Sequence, residues 1–437
     1  MDIESVHAGR PVLRRSAPPL LPKERPVSSA VLHPGDALSR RERIVYIIVL
    51  GALVGLGPFT IDLYLPAFPV LKDEFGVTDA AIQLTLTGTT VGFALGQLVV
   101  GPWSDRVGRR LPLIVASVGH ILASLGAALS TDVSMLLVFR VLQGAGAAAG
   151  AVVAMAMVRD LFGGRPLVRM LSRLALVTGL APILAPVIGS QLLRIVDWRG
   201  VFYALAAYGI AVVVAVVFLI VETLPREDVV VEEKGALLRR YRNVLRDRVF
   251  VGVAIIGGMQ FAGLFSYLSS SSFLFQDVYG FDAQQFGILF GVNSLGIVIG
   301  NQVAARMTKV VGPQWILAGV VVVQFVSSAL IVLLGTFTDA GLLGTLIPLF
   351  FFILACGFGF PCVQVLGLVN HGHEAGTAAS LLGAVNFGLA GAISPIVGVL
   401  GITSGVPMAA VMGTCALVSI LAMWLVVQPR TVPALTN

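Results

Sequence analysis

Charge is what this chain has least of. Only 12% of its 437 residues are Asp, Glu, Lys or Arg, against about a quarter in soluble proteins. With 57% hydrophobic residues and a mean hydropathy of +0.94, that scarcity excludes an ordinary soluble protein. Cysteine is also rare. Cys356, Cys362 and Cys415 fall inside apolar runs and have no metal-ligand spacing with histidine, so they read as small packing side chains. No phosphate-binding loop, dinucleotide fingerprint, catalytic triad or zinc motif occurs. No acid pair or nucleophile–base set suggests an enzyme, and no cofactor or metal is implied. The alternating pattern of a membrane barrel is missing too.

Long apolar runs are what the chain does have. Twelve of them occupy approximately 44–69, 81–103, 111–130, 133–158, 170–193, 199–222, 250–273, 285–305, 315–336, 341–368, 377–400 and 404–427. About 20 apolar residues suffice for a helix to cross a bilayer. The expected fold is an all-α membrane protein with twelve transmembrane helices in two six-helix bundles. Residues 1–43, with six prolines and eight Lys/Arg, read as a disordered cytoplasmic tail. Residues 44–222 form the first bundle, 223–249 a cytoplasmic linker, and 250–437 the second bundle with a short tail. If both termini are cytoplasmic, 25 of the 29 Lys/Arg lie on that side, which sets the orientation. The net charge of +6 is therefore topological, and nucleic acid is not an expected partner. In the linker, GALLRRYRNVLRDR (235–248) places Leu237, Leu238, Tyr241, Val244 and Leu245 on one face and arginines around the rest, as suits a helix on an anionic membrane surface.

Two formal charges stand well inside the runs: Asp62, within GPFTIDLYLPAFP (57–69), and Arg140, within FRVLQGAGAAAGAVVAM (139–155). Each is seven residues from the outer end of its run, about 10 Å deep at 1.5 Å per residue. One shared polar site is expected. A carboxylate away from water favours its neutral form and a nearby cation the charged form, so Asp62 could take up and release a proton, with Arg140 tuning it. A static Asp62–Arg140 pair is the structural alternative. Pro58 and Pro66 loosen the helix around Asp62. Gln143 lies three residues on from Arg140, on nearly the same face. Runs seven to twelve carry no charge at depth; their polar groups are neutral, among them Gln260, Tyr267, the serines at 269–272, Asn293 and Asn386.

Other motifs sit at helix ends and bends. GPWSDRVGRRLPL (101–113) combines Gly101 and Gly108 with Asp105, Arg106, Arg109 and Arg110, a turn whose charges could hold the cytoplasmic side shut. APILAPVIG (181–189) puts Pro182, Pro186 and Gly189 mid-run, a sign of a bent helix. FSYLSSSSFLF (265–275) offers either a pocket wall or serine-mediated packing. HGHEAG (371–376) has too few donors for a metal site.

At these residues the chain resembles the major facilitator superfamily, and within it the drug:proton antiporters of the bicyclomycin/chloramphenicol resistance group (Bcr/CflA). The resemblance covers 44 to about 427. GPFTIDLYLPAFP is similar to that group's first-helix signature, GQLVVGPWSDRVGRRLPL (96–113) to the loop motif between helices two and three, and FRVLQGAGAAAG to the fourth-helix motif. APILAPVIGSQL is similar to the antiporter motif of helix five, with Ala181, Ala185 and Ser190 at positions where many relatives have glycine. The stretches 265–291 and 376–398 resemble group-specific helices seven and eleven. The resemblance implies alternating access and proton-driven export, through a cavity between the bundles, of a small neutral or weakly charged amphipathic antibiotic such as chloramphenicol. It makes Asp62 and Arg140 the proton-coupling pair. Asp62, Tyr64, Gln143, Phe265, Tyr267, Ser271 and Asn386 become the substrate contacts, and the 101–110 cluster the cytoplasmic gate. LGALVGLG (50–57) lacks the second acid of some relatives, which disfavours cationic drugs. The expected setting is the inner (cytoplasmic) membrane, crossed many times by a functional monomer whose partners are drug, protons and lipid. A proton-coupled transporter of an amino acid or sugar, or a membrane sensor or scaffold, is the alternative.

Overall fold

A computed structural model of the chain describes residues 33–36, 38–224, 236–308, 310–371 and 375–432. The tail at 1–32, the linker segment 225–235 and His373 and Glu374 of the HGHEAG motif lie outside the described residues. The described residues form helices joined by short turns, with no strand, and twelve of these helices are long and apolar enough to cross a membrane.

Spans 2 to 6 are Asp79–Val107, Arg110–Ala128, Val133–Leu161, Gly164–Leu192 and Trp198–Leu219. Spans 8 to 10 are Ala283–Met307, Pro313–Phe337 and Gly341–Leu368. The others are compound. Span 1 is a helix Arg40–Asp62, a turn Leu65–Ala67 and a short helix Phe68–Phe75. Span 7 runs Arg248–Ser272 and continues as a wider π-type turn, Phe273–Val278. Span 11, Ala375–Ile393, breaks before Pro395 and resumes as Ile396–Leu400. Span 12 is Gly405–Leu421, with a π-type turn after it.

Polar residues at the span ends supply the caps that the apolar runs lack. Ser39 and Glu42 exchange hydrogen bonds in a capping box at the start of span 1, as do Asp282 and Gln285 at span 8. Asp132, Asp197 and Asp247 cap spans 4, 6 and 7. Each satisfies amides that lipid could not. Span 6 stops at Leu219, three residues short of the apolar run, which leaves Glu222 outside it. The linker helix is present as Ala236–Arg246. Its Val244 is buried against the second half, but Leu245 is 52% exposed.

Spans 1–6 and 7–12 form two halves that meet along spans 2 and 11 and along spans 5 and 8. The end carrying the 104–110 loop is termed the basic end. At the opposite end the halves are tied together. Lys72 pairs with Asp277 at 2.7 Å, Gln276 donates to the Pro66 carbonyl at 3.1 Å, and Gln284 donates to the Ser190 carbonyl at 3.1 Å. Gln83 donates to the Ser269 carbonyl and accepts from the Gly398 amide. At the basic end the pairs Arg109–Asp160, Arg248–Gln428 and His371–Asp247 each stay within one half. The halves are thus closed together opposite the basic loops.

Of the bending residues, Pro66 marks the break in span 1. Pro182 and Pro186 do not interrupt span 5, which remains one continuous helix. Their effect is local: a proline has no amide proton, so the carbonyls four residues back, of Thr178 and Pro182, lose their helical partners. Gly189 has a separate reason. A Cβ there would stand 2.0 Å from the Leu63 carbonyl oxygen, so span 5 can pass the break only as glycine.

Candidate functional site

A cavity of about 390 Å³ lies between the halves. Spans 1, 4, 5, 7, 8, 10 and 11 line it. Leu171, Met155 and Asn301 carry its wall toward the basic end. The wall is aromatic and aliphatic, with Phe261, Phe265, Tyr267, Phe290, Phe360 and Phe387 prominent. Thr178 and Pro182, whose carbonyls the span 5 prolines release, are both in it. Asp62 is the one Asp, Glu, Lys or Arg among the lining residues. It is 4% exposed, and its Oδ1 has no hydrogen-bond partner among the described residues.

Arg140 is close by but does not pair with it. No ion pair joins the two side chains among the described residues. Arg140 is fully buried. It donates to the Thr60 carbonyl at 2.9 Å and to Gln143, and stacks 3.9 Å from the centre of the Tyr64 ring, with Phe202 at 5.6 Å. The cause is the break in span 1. A helix that stops at Asp62 leaves its last carbonyls without partners and a partial negative charge at its end. Arg140 caps that end.

The cap belongs to a closed network. Gln143 donates to Ser124 at 2.7 Å, and Ser124 donates to the His120 carbonyl at 2.7 Å. The Thr60 hydroxyl gives its only hydrogen to the Leu56 carbonyl at 2.7 Å. It can therefore only accept from His120 Nε2, 2.9 Å away. This places the imidazole proton on Nε2 and leaves Nδ1 as an acceptor without a partner among the described residues. His120 was not among the expected site residues. Its one signal is a lone histidine in the third apolar run.

Only part of the expected substrate set meets the cavity. Asp62, Phe265 and Tyr267 line it; Tyr64, Gln143, Ser271 and Asn386 do not. Tyr64 is held behind it by Thr85 and the Arg140 stack, and Gln143 by Arg140 and Ser124. Ser271 turns its hydroxyl onto the Leu268 carbonyl of its own helix, as Ser266 and Ser270 do onto theirs, a local bond such residues commonly make. Asn386 is buried in the second half, its Oδ1 unpartnered among the described residues. In the FSYLSSSSFLF run Phe265 and Tyr267 belong to the wall, and the serines pack.

In the 101–110 cluster the contacts of Arg109 and Arg110 are local to the first half. Arg109 binds Asp160 (2.8 Å), Asp105 and Ser104. The Arg109 and Arg110 amides donate to Glu222 at 2.8 and 3.1 Å, and Arg110 reaches the Val217 carbonyl. All these partners lie in the first half. Burial alone would lower the Arg109 pKa, but Asp160 and Asp105 raise it on balance. Burial likewise works to raise the Glu222 pKa, yet the four amides of Arg109, Arg110, Leu224 and Thr223 hold it below its ordinary value. Gly108 makes this clamp possible: its φ is +96°, and a Cβ would stand 2.6 Å from Glu222 Oε2. Gly101 lies inside span 2 and makes no turn. The three cysteines are buried and free.

Fold and site together define a membrane transporter, and comparison with known proteins gives its family. The family model of the Major Facilitator Superfamily matches residues 48–395. The uncharacterized MFS-type transporter YdgK of Bacillus subtilis is 35% identical over 392 residues, 89% of this chain and 97% of that one. A bicyclomycin resistance protein homolog of Haemophilus influenzae is 29% identical over 386 residues, 88% of this chain and 96% of that one. The xylose transporter XylE from E. coli, in a partially occluded inward-open conformation, has a TM-score of 0.72 at 14% identity, covering 90% of this chain and 98% of that one, a likeness of fold alone. The chain belongs to the Major Facilitator Superfamily. It is a multi-pass membrane transporter and not an enzyme.

Proposed function

We propose that the protein exports a small, neutral or weakly charged amphipathic antibiotic, with chloramphenicol-like compounds as the leading class, in exchange for protons. One observation carries the reading: an aromatic cavity of drug-sized volume contains one charged group, Asp62, whose Oδ1 has no partner among the described residues. Intramembrane carboxylates are costly and mark proton or substrate pathways. The relative named for bicyclomycin resistance supports a drug as substrate. In this reading the basic end is cytoplasmic, the membrane is the inner one, and the protein works as a monomer. Asp62 takes its proton from outside and releases it inside, and Arg140 sets when it can do so. The basic loop holds the first half together as a rigid body during the exchange. One proton moved down 100 mV and one pH unit supplies about 2.3 and 1.4 kcal/mol, enough for a drug gradient of roughly several hundred-fold.

The test is drug-induced proton movement in proteoliposomes with an imposed pH gradient, comparing wild type with Asp62→Asn. The expected result is proton movement with chloramphenicol that vanishes in the variant. A wild type that responds only to a sugar or amino acid would replace the drug reading with a metabolite one. A variant that matches wild type would make Asp62 structural.

A further inference from the structure

We infer that Gln260 and Asn386 form a neutral hydrogen-bonding subsite behind the aromatic wall, for an uncharged ligand that joins an aromatic ring to hydroxyl or amide groups. This subsite rests on the efflux reading and names the part of the site that would recognise the drug.

Buried polar groups in the second half are mostly satisfied. Asn293 donates to Tyr267, Gln324 to Cys356 Sγ, and serines to their own helices. Among the described residues four buried side-chain atoms there have no partner, and three belong to these two amides: Gln260 Nε2 and Oε1, and Asn386 Oδ1. Gln260 is 2% exposed and Asn386 5%. Unmade hydrogen bonds at such depth are costly, and native proteins keep few of them.

The two amides are neighbours. A Cβ built on Gly257 would stand 2.9 Å from Asn386 Oδ1 and 2.8 Å from Val363; one built on Gly359 would stand 2.5 Å from Gln260 Oε1. The steps 257 to 260 and 363 to 359 each climb one turn of the antiparallel spans 7 and 10. The amides therefore lie about one helical pitch, roughly 5 Å, apart, where spans 7, 10 and 11 meet. Glycine at 257 and 359 leaves the room they occupy.

The residue after each member of this group faces the cavity: Phe261 after Gln260, Phe360 after Gly359, Phe387 after Asn386. Phe261 lies 5.1 Å from Phe360 and 5.4 Å from Phe387, centre to centre. Phe387 also stacks on Phe93 of span 2 at 5.0 Å, so access past this ring is tied to the contact between the halves. A ring seated on the trio would bring its polar substituents to the amides behind. Each primary amide both donates and accepts, which matches hydroxyl and amide groups. No charged side chain of the second half lines the cavity, so the match is to an uncharged ligand. A site that hydrogen-bonds its substrate rejects analogues lacking those groups.

The test is equilibrium binding of radiolabelled chloramphenicol to the full chain in detergent, for wild type, Gln260→Leu, Asn386→Leu and Gln324→Leu. Leucine keeps the bulk and removes the hydrogen bonds. The third change removes an amide already paired with Cys356. At least a tenfold rise in Kd is expected for the first two and less than twofold for the third. Thermal stability of the first two should be unchanged or higher, because unpaired amides have been removed. If Gln260→Leu does not fold, Gln260→Met takes its place. Wild-type affinity in both subsite variants overturns the subsite and leaves the efflux reading standing. An equal loss in all three also overturns it, as general packing damage. A wild type that does not bind chloramphenicol overturns the chloramphenicol reading and the subsite with it.

Discussion

Gly101 and Gly108 look equivalent in GPWSDRVG, but alanine at the two positions should behave oppositely. Gly108 ends span 2 at φ +96° and ψ 166°, a region essentially confined to glycine, and forcing another residue into it costs of order 1–3 kcal/mol. A methyl there would also stand 2.6 Å from Glu222 Oε2 and 2.9 Å from its carboxyl carbon, so the carboxylate must move. Moving it breaks the bonds from the Arg109 and Arg110 amides. Each is worth about 1.5–3 kcal/mol when the acceptor is charged, and less here because Glu222 is largely exposed. Together the losses come to about 2–4 kcal/mol. For a folding unit the size of one six-helix half that is a fall of about 5–10 °C in Tm. Gly101 lies within the helix, and its nearest Cβ contact is Val152 at 3.7 Å. Alanine there should be neutral or stabilise by about 0.5–1 kcal/mol, the usual gain over glycine in a helix interior. The assay is thermal unfolding of both variants in detergent, followed by tryptophan fluorescence. A Gly108→Ala Tm within 1 °C of wild type (~1 °C being a resolvable shift) would refute the reasoning, as would an equal loss at Gly101→Ala.

Two further outcomes follow from the same geometry. Arg140→Lys keeps the charge but loses the planar stack on Tyr64 and one of the two donated bonds; about 2–4 kcal/mol of stability and most drug-driven proton movement should go, read by Tm and in proteoliposomes. Glu222→Gln should destabilise at neutral pH but not in acid. The folded-state pKa of Glu222 is depressed, so its contribution is present above its ordinary value of 4.5 and is lost as pH falls further; the Tm gap between wild type and variant should close below that value, and a gap that persisted there would oppose this account.

The features that lipid demands were legible in the sequence. Twelve runs of adequate length became twelve spans, because helices are the available way to satisfy a backbone in hydrocarbon. Asp62 stood out because charge is rare in such runs, and it does line the cavity. What stayed hidden depended on azimuth and on distant partners. Equal depth put Asp62 and Arg140 at one height, but could not tell that Arg140 faces the Thr60 carbonyl, since that requires knowing where span 1 stops. The serines at 269–272 are chemically able to line a pocket, and local bonds to their own carbonyls decide otherwise. Glu222 meets the Arg109 amide across 113 positions, and no periodicity announces such a pair. Gly101 and Gly108 are told apart by backbone angle and by the approach of Glu222 to one of them.

The break in span 1 accounts for more of the site than any single side chain. It ends the helix at Asp62, which leaves the Thr60 carbonyl for Arg140 to cap. It brings the Leu63 carbonyl against span 5, where only Gly189 fits. It turns the chain at Pro66, whose carbonyl accepts from Gln276 of the other half, and leads through Phe68–Phe75 to Lys72 and its pair with Asp277. The same dozen residues therefore hold the carboxylate in the cavity, the cap on the buried arginine, and two of the ties that close the halves opposite the basic end. If Asp62 and Arg140 came together as an ion pair, the Thr60 cap would be lost or shared, because the guanidinium already serves Gln143 and that carbonyl. Movement at the cavity and movement at the closed end are joined by one short, covalently continuous segment. That continuity gives a change at Asp62 a mechanical route to the contact between the halves, without any relay through the second half.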